Sequence, residues 1–300
     1  MPARANQHVR ISLPPNFDFA WALGFLAART VAALESVEDG AYRRSVRLAG
    51  NPVTFALTDA RRDTNGSRRG ERCLIATARP ALAPEVLEAA VRRMLDLDAD
   101  LAGFHTLARR DPILSRIVRR RSGIRLPQLL DPFEGLTRAI LGQQVSVAGA
   151  STLTDRLVRL FARPIRGARE TGFLAFPAPA DVAEVGADRL RAVGLTRVRA
   201  ATLASAAARI ADGGLDLEAL REVPPAEAQA ALEALPGIGP WTASYVRMRA
   251  LGDRDAFPSA DLGVIKALDA VGVARRAIVD VAERWRPWRG YATLHLWASL

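Results

Sequence analysis

From about residue 97 to its end, the chain repeats one pattern: apolar residues recur at helical spacing within segments that glycine or proline separates. No convincing strand interrupts these segments, and they follow no fixed solenoid period. The pattern predicts helices over 132–141, 146–161, 196–211, 225–234, 242–251, 262–271, 274–285 and 291–300. Three prolines in the stretch 163–180 predict a long connection instead. This part of the chain is therefore predicted to be an all-helical body.

The first hundred residues carry a different pattern, in which polar and apolar side chains alternate. The alternation predicts strands over 8–13, 42–48, 53–58 and 72–77. Apolar residues at helical spacing predict flanking helices over 19–34 and 84–95. The chain is therefore predicted to begin with an α+β domain, a small antiparallel sheet with helices against it.

Composition limits the class of protein. Hydrophobic residues make up 49% of the chain and charged residues 25%, the balance of an ordinary globular protein. The longest apolar run, 19–28, is too short to span a bilayer, and residues 1–13 lack the apolar core of a secretory signal. We therefore expect a cytoplasmic monomer with no membrane partner. Cys73 is the only cysteine, which excludes an intrachain disulfide and a four-cysteine metal site.

Charge gives the first positive indication of a partner. The chain has 42 basic and 32 acidic residues, a net charge of +10, and Lys266 is its only lysine. Guanidinium groups suit contacts with phosphates, so we expect a nucleic acid as a partner, with a generic basic surface as the alternative.

A short turn between two predicted helices carries two glycines, Gly237 and Gly239. Glycines let the backbone turn tightly, so that main-chain N–H groups can approach a phosphate at a helix N-terminus. The N–H groups concerned are those of the two glycines, Ile238 and Thr242. The alternative is an ordinary interhelical turn. The preceding Leu235 and the immediate helix start favour a clamp on the DNA backbone.

The run 235–245 and the following run 255–263 resemble the helix-hairpin-helix signature and the Gly/Pro-rich stretch with catalytic aspartate of base-excision DNA glycosylases. Within that superfamily the chain is most similar to the DNA-3-methyladenine glycosylase II group, which it also resembles at 18–29, 139–146 and 282–297. The matches follow the family's order and span nearly the whole chain. The resemblance implies an α+β domain followed by a two-lobed helical body.

Domain limits follow from combining the pattern with the resemblance. We expect an N-terminal α+β domain over 1–96 and a central helical lobe over 132–253 with the hairpin at 235–241. The segments 97–131 and 254–300 are expected to form a second helical lobe.

The resemblance implies that Asp261, in the second lobe, is the catalytic carboxylate. Cleavage of an N-glycosidic bond develops positive charge on the deoxyribose, and an ionised carboxylate beside C1′ stabilises that charge or orients the attacking water. The alternative is a helix N-cap, with Ser259 as competitor for that position.

A missing lysine predicts the reaction type. Relatives that also cut the DNA strand carry an attacking lysine directly after the hairpin, where this chain has Trp241. We therefore expect a glycosylase that uses water, has no lyase activity and leaves an abasic site. No organic cofactor is expected.

Aromatic residues indicate the substrate. A purine alkylated at a ring nitrogen is cationic, so stacking on electron-rich rings can select it once it is flipped from duplex DNA. The resemblance implies that Trp241, Tyr245 and Trp297 form the base pocket, with Phe25 contributing from the N-terminal domain. Packing in a helical core is the alternative for each ring.

Two further roles rest on the resemblance. It places the wedge that fills the vacated base stack at Gln144, where some members have an apolar leucine; the alternative is that Gln143 and Gln144 are polar residues at a helix start. It also implies a monovalent cation at the hairpin, held by the backbone carbonyls of Glu233, Leu235 and Ile238.

The sequence thus predicts a monofunctional DNA glycosylase that initiates base excision repair of 3-methyladenine and 7-methylguanine, acting at the nucleoid. Two alternatives stay open. One is a glycosylase for deaminated bases, hypoxanthine or uracil, and the other is a non-catalytic helix-hairpin-helix DNA-binding protein.

Overall fold

The computed structural model describes residues 8–48, 50–60 and 72–300, and the part of the chain it describes begins with a five-stranded antiparallel sheet. The strands stand in the order β1-β5-β4-β3-β2. Their bounds are β1 Val9–Ser12, β2 Glu35–Glu38, β3 Ala41–Leu48, β4 Asn51–Asp59 and β5 Cys73–Arg79. This arrangement confirms the predicted α+β domain, and the helical segments that follow confirm the predicted helical body.

Alternating side chains explain why the sheet forms. In β3 and β4 the pair Val46 and Val53 lies directly opposite, and both side chains are buried. One face of the sheet packs on a helix whose residues Leu87, Val91 and Met94 are fully buried. Burial of this face fixes the register, since a slip of one residue would turn the apolar set towards solvent.

The helical segments separate as predicted from periodicity, with small shifts at their ends. Their bounds are α1 Phe19–Ala27, α2 Pro84–Met94, α3 Ala102–Arg110, α4 Leu114–Val118, α5 Pro132–Gly142, α6 Val147–Phe161, α7 Pro179–Arg191, α8 Arg197–Ala211, α9 Pro225–Glu233, α10 Pro240–Arg249, α11 Leu262–Asp269, α12 Ile278–Glu283 and α13 Arg289–Trp297. Helices α3, α4 and α7 were not predicted. In α7, Gly186 has a φ of +70° and breaks the helical geometry, which obscures the periodicity.

The prediction of one helix over 19–34 was wrong. Helix α1 ends at Ala27, and the chain turns so that Val31 and Leu34 are buried against the central helices. The next residues form β2, the edge strand, in which Val37 pairs with Tyr42. A four-residue strand that includes two glutamates gives too weak an alternation to be detected. Arg29 consequently lies in a turn beyond the helix.

Three large apolar clusters and two small ones form the core of the described residues. One fills the sheet and its helices, and a second lies among α5, α6, α8, α9 and α10. The third large cluster joins α3, α4 and the segment that follows α4 to α11, α12 and α13, and it includes the fully buried Trp285. The domain limits drawn from the sequence remain a prediction.

Buried ion pairs join the sheet to helix α5. Arg44 on β3 donates two hydrogen bonds to Glu134, at 2.9 and 2.7 Å, and both side chains are 1% exposed. Arg138, one turn further along α5, pairs with Glu35 of β2 and with Glu134. Tyr42 donates a further hydrogen bond to Glu35. Each buried charge therefore has a partner, which fixes α5 against the sheet.

Within the described residues, no helix is both long enough and apolar enough to cross a membrane.

Candidate active site

Asp261 is the N-cap of α11. Its Oδ1 accepts hydrogen bonds from the main-chain N–H groups of Gly263 at 2.9 Å and Val264 at 3.1 Å. The two donors are orphaned at the start of any helix, and an aspartate at the N-cap satisfies them. The capping role considered as an alternative for Asp261 is therefore present, and Asp261 rather than Ser259 occupies the N-cap.

Two indole groups also donate to this carboxylate. Trp297 Nε1 lies 2.8 Å from Oδ1 and Trp241 Nε1 lies 3.3 Å from Oδ2. A Cβ atom at Gly263 would lie 2.8 Å from Trp297 Cδ1, so the indole reaches Asp261 only because position 263 has no side chain. Four donors hold the carboxylate in one orientation, three of them on Oδ1.

The four predicted pocket aromatics lie together beside Asp261. Trp241 and Tyr245 stack with ring centroids 5.4 Å apart, because they stand one turn apart on α10. Tyr245 and Trp297 are 6.4 Å apart, and Phe25 of α1 stacks on Trp297 at 6.4 Å. Elements distant in sequence therefore place aromatic rings around one carboxylate.

Sequence analysis missed a guanidinium at this site. The Cζ atom of Arg29 lies 3.7 Å from the ring centroid of Phe25 and 5.8 Å from that of Trp297. Burial lowers the pKa of Arg29 to about 10, while Tyr245 and Asp261 act to raise it. A group with that pKa is protonated at neutral pH. The available signal in the sequence was its position four residues after Phe25, one turn later on the predicted helix over 19–34.

A second guanidinium, that of Arg249, approaches the same ring from α10. Its Cζ atom lies 4.7 Å from the Phe25 centroid, and the side chain is buried. The Nε atom donates to the carbonyl of Pro127 at 2.7 Å, and Nη1 donates to the Tyr245 hydroxyl at 3.4 Å. Burial lowers the pKa of Arg249. The predicted base pocket therefore contains two guanidinium groups as well as aromatic rings.

The hairpin between α9 and α10 requires its first glycine. Gly237 has a φ of +82°, and a Cβ atom there would lie 2.0 Å from Thr202 Oγ1 of α8. A Cβ atom at Gly239 would have no neighbour within 4 Å, so this position faces open space at the start of α10. Ile238 between them is buried and anchors the turn.

The loop between α5 and α6 contacts the hairpin through Gln143. Its Nε2 donates to the carbonyl of Gly237 at 3.0 Å and to Thr242 Oγ1 at 3.1 Å. The Thr242 side chain is buried and its hydroxyl accepts a hydrogen bond from Gln143, so only the main chain of Thr242 is available for contacts outside the protein. Gln144 is exposed at the apex with a φ of +54°, in the left-handed region that side chains rarely adopt.

The predicted cation ligands are the main-chain oxygens of Glu233, Leu235 and Ile238. Glu233 ends α9, where carbonyls lack partners within the helix. The buried side chains of Leu235 and Ile238 and the 3.1 Å hydrogen bond between Ile238 N and Leu235 O fix the turn. Oxygen donors of one rigid turn fit a hard monovalent cation. Among the described residues, no group of three His, Cys, Asp or Glu side chains could hold a metal ion.

Other residues singled out in the sequence lie away from the carboxylate. Lys266 is exposed on α11, one turn beyond Asp261. His295 is 1% exposed and stacks on Phe104 at 5.4 Å, and burial lowers its pKa to about 3. His295 is thus a neutral core residue.

Known relatives resemble the chain over nearly its whole length. It is 38% identical over 304 residues to a probable bifunctional transcriptional activator/DNA repair enzyme AlkA of Mycobacterium tuberculosis, covering 97% of this chain but only 57% of the relative. It is 34% identical to DNA-3-methyladenine glycosylase 2 of Escherichia coli, with 94% of each chain covered. The solved structure of a 3-methyladenine DNA glycosylase from Archaeoglobus fulgidus superposes with a TM-score of 0.80 at 25% identity, covering 96% of this chain and 97% of that one.

Two family models match consecutive parts of the chain. The model of the AlkA N-terminal domain matches residues 8–131. The model of the HhH-GPD superfamily base excision DNA repair proteins matches residues 137–286, which include the hairpin and Asp261. The chain therefore belongs to the HhH-GPD superfamily of base excision DNA repair proteins.

Proposed function

We propose that the protein is a DNA glycosylase that flips alkylated purines of the 3-methyladenine and 7-methylguanine class out of duplex DNA and hydrolyses the N-glycosidic bond. The observation that carries this proposal is the Asp261 carboxylate, held by four donors beside a cluster of aromatic rings. The names of the relatives support the same activity. A DNA-binding module without catalysis would need neither the carboxylate nor the rings.

Asp261 acts on the sugar. As the C1′–N9 bond lengthens, positive charge develops on the deoxyribose, and an ionised carboxylate beside C1′ stabilises it. Oδ1 accepts three hydrogen bonds, whereas Oδ2 accepts one at 3.3 Å. Oδ2 is therefore the oxygen that faces the sugar or accepts the proton of the attacking water.

The aromatic rings act on the base. An alkylated purine is flat and cationic, so it gains from stacking on the electron-rich faces of Trp241, Tyr245 and Trp297. Gln144, exposed at its turn, fills the gap that the flipped base leaves in the stack. The main chain at Gly237 and Gly239 binds a DNA phosphate at the start of α10, aided by a monovalent cation on the carbonyls of Glu233, Leu235 and Ile238. The cation supplies charge to the phosphate contact and takes no part in bond cleavage.

The absence of lyase activity belongs to this proposal. Strand cleavage by these enzymes needs an amine that attacks C1′, and Lys266 is the only lysine of the chain. Lys266 is exposed on α11, while Trp241 occupies the position after the hairpin. The product is an abasic site in an intact strand. The protein acts as a monomer on the chromosome, in the cytoplasm.

The experiment incubates wild type and Asp261→Asn with dimethyl-sulfate-treated duplex DNA and quantifies released bases by mass spectrometry. Wild type should release 3-methyladenine, Asp261→Asn should release at least about a hundredfold less, and strands should break only after alkali. Strand breaks before alkali would contradict the monofunctional mechanism. Tight binding to duplex DNA with no base released would contradict the enzyme and favour a binding module.

A further inference from the structure

Arg29 lies against two of the aromatic rings near Asp261, those of Phe25 and Trp297. Its guanidinium lies 3.7 Å from the Phe25 centroid, a stacking distance, and Nη1 donates to the main-chain carbonyl of Phe25 at 3.2 Å. The Trp297 centroid lies 5.8 Å from the same Cζ atom, and Tyr245 and Asp261 both act to raise the pKa of Arg29. These contacts hold the side chain where an entering base must meet it.

The charge of this group divides possible substrates into two classes. A base alkylated at N3 or N7 is cationic and leaves the sugar as a neutral molecule, so a nearby guanidinium repels it without helping its departure. A neutral purine such as hypoxanthine leaves with the electron pair of the C1′–N9 bond and becomes an anion. A fixed positive charge beside the base stabilises that anion as it forms.

We infer that Arg29 is a catalytic residue for neutral bases, whose guanidinium stabilises the negative charge that develops on the departing purine. The inference rests on the proposed glycosylase function and concerns how that function acts on a neutral purine such as hypoxanthine. The C1′–N9 electron pair goes to the base, and water adds its oxygen to C1′. The proton that water loses, accepted by Asp261, ends on the base, so the products are a neutral purine and an abasic sugar.

Arg249 adds a second positive charge near the ring of Phe25. It lies 4.7 Å from the same ring of Phe25 and is buried, with two hydrogen bonds that fix it to Pro127 and Tyr245. The guanidinium groups of Arg29 and Arg249 thus both lie near the ring of Phe25. The negative charge of Asp261 acts to raise the pKa of Arg29. Such a pocket suits an anionic leaving group better than aromatic rings alone would.

The test compares single-turnover release of hypoxanthine and of 3-methyladenine by wild type, Arg29→Gln and Arg29→Lys. The glutamine variant should lower the ratio of the hypoxanthine rate constant to the 3-methyladenine rate constant at least about tenfold, because it removes a charge that helps one base and repels the other. The lysine variant keeps the charge and should restore part of the ratio.

Arg254→Gln is the matched control, since its guanidinium also lies over an aromatic ring, that of Trp288 at 4.7 Å, but contacts none of the pocket rings. It should leave the ratio unchanged. If Arg29→Gln lowered the rate constants for both bases by the same factor, Arg29 would have a packing role. If it raised both rate constants, Arg29 would obstruct entry of the base. Either result overturns the inference.

Failure of the proposed function gives a different result. If wild type released neither base, the glycosylase itself would be wrong. If wild type released 3-methyladenine but no hypoxanthine, the proposed function would stand and the role of Arg29 would fall.

Discussion

Trp297 Nε1 donates a 2.8 Å hydrogen bond to Oδ1 of Asp261, across 36 residues of sequence. The last helix of the chain therefore orients the carboxylate at the start of α11. The same indole stacks with Phe25 of the first helix. A single side chain thus connects the Asp261 carboxylate to Phe25 on α1.

Trp297→Phe should slow release of 3-methyladenine about tenfold, because the ring remains but one hydrogen bond to a charged acceptor is lost. Single-turnover kinetics on methylated duplex DNA measure the effect. Trp285→Phe is the matched control: Trp285 is fully buried, and its Nε1 has no hydrogen-bond partner among the described residues. Equal losses in the two variants would contradict an orienting role for Trp297.

Asp261→Asn and Asp261→Ala should separate catalysis from capping. Both variants remove the negative charge and should abolish base release. Asparagine keeps an oxygen that caps α11, whereas alanine does not, so only the alanine variant should lose about 1 kcal/mol of unfolding free energy. Urea denaturation monitored by circular dichroism measures this difference. Identical stabilities of the two variants would show that the cap contributes nothing.

Gly263→Ala should inactivate the protein while leaving it folded. The added methyl group would lie 2.8 Å from Trp297 Cδ1 and 3.1 Å from Asp261 Oδ1, so the indole must move away from the carboxylate. Gly24→Ala on α1 is the control, because a Cβ atom there meets nothing within 4 Å. Base release and thermal unfolding of both variants are the measurements. Wild-type activity of Gly263→Ala would show that the contact between Trp297 and Asp261 is dispensable.

Stability should fall in mild acid because of His295. Its pKa is about 3 in the folded state against 6.5 for an unperturbed histidine, since burial disfavours the charged ring. The unfolded chain therefore binds an extra proton between these values, and stability present above pH 6.5 is lost as the pH falls. His295 contributes a slope of about 1 kcal/mol per pH unit between pH 6 and 5, which Asp131 opposes because burial raises the pKa of its carboxyl to about 6. His295→Phe should remove that slope in urea titrations at each pH, while an unchanged slope would assign it to other groups.

Local patterns predicted much of this molecule. Trp241, Tyr245 and Asp261 belong to short motifs, and the helix that each stands on was evident from apolar spacing. The structure brings these residues together with Trp297 and Phe25, while their roles stay predictions. The prediction of a helical body was also confirmed, because apolar periodicity and glycine or proline boundaries depend only on residues that are close in sequence.

Features that depend on tertiary packing could not be predicted. The end of α1 at Ala27 is set by burial of Val31 and Leu34 against helices more than a hundred residues away, which no local pattern records. Arg29 and Arg249 look like ordinary surface arginines in the sequence, and only the fold places both on the ring of Phe25.

The buried ion pairs between the sheet and α5 have a consequence for how such proteins can be recombined. Glu134 of the helix pairs with Arg44 and Arg138 of the helix pairs with Glu35, so each charge on the strands has its counter-ion on α5. A chimaera that joined this sheet to a helical body lacking those two residues would bury charges with no counter-ion, at a cost of several kcal/mol. The N-terminal sheet and the catalytic body can therefore be exchanged between relatives only as a matched pair.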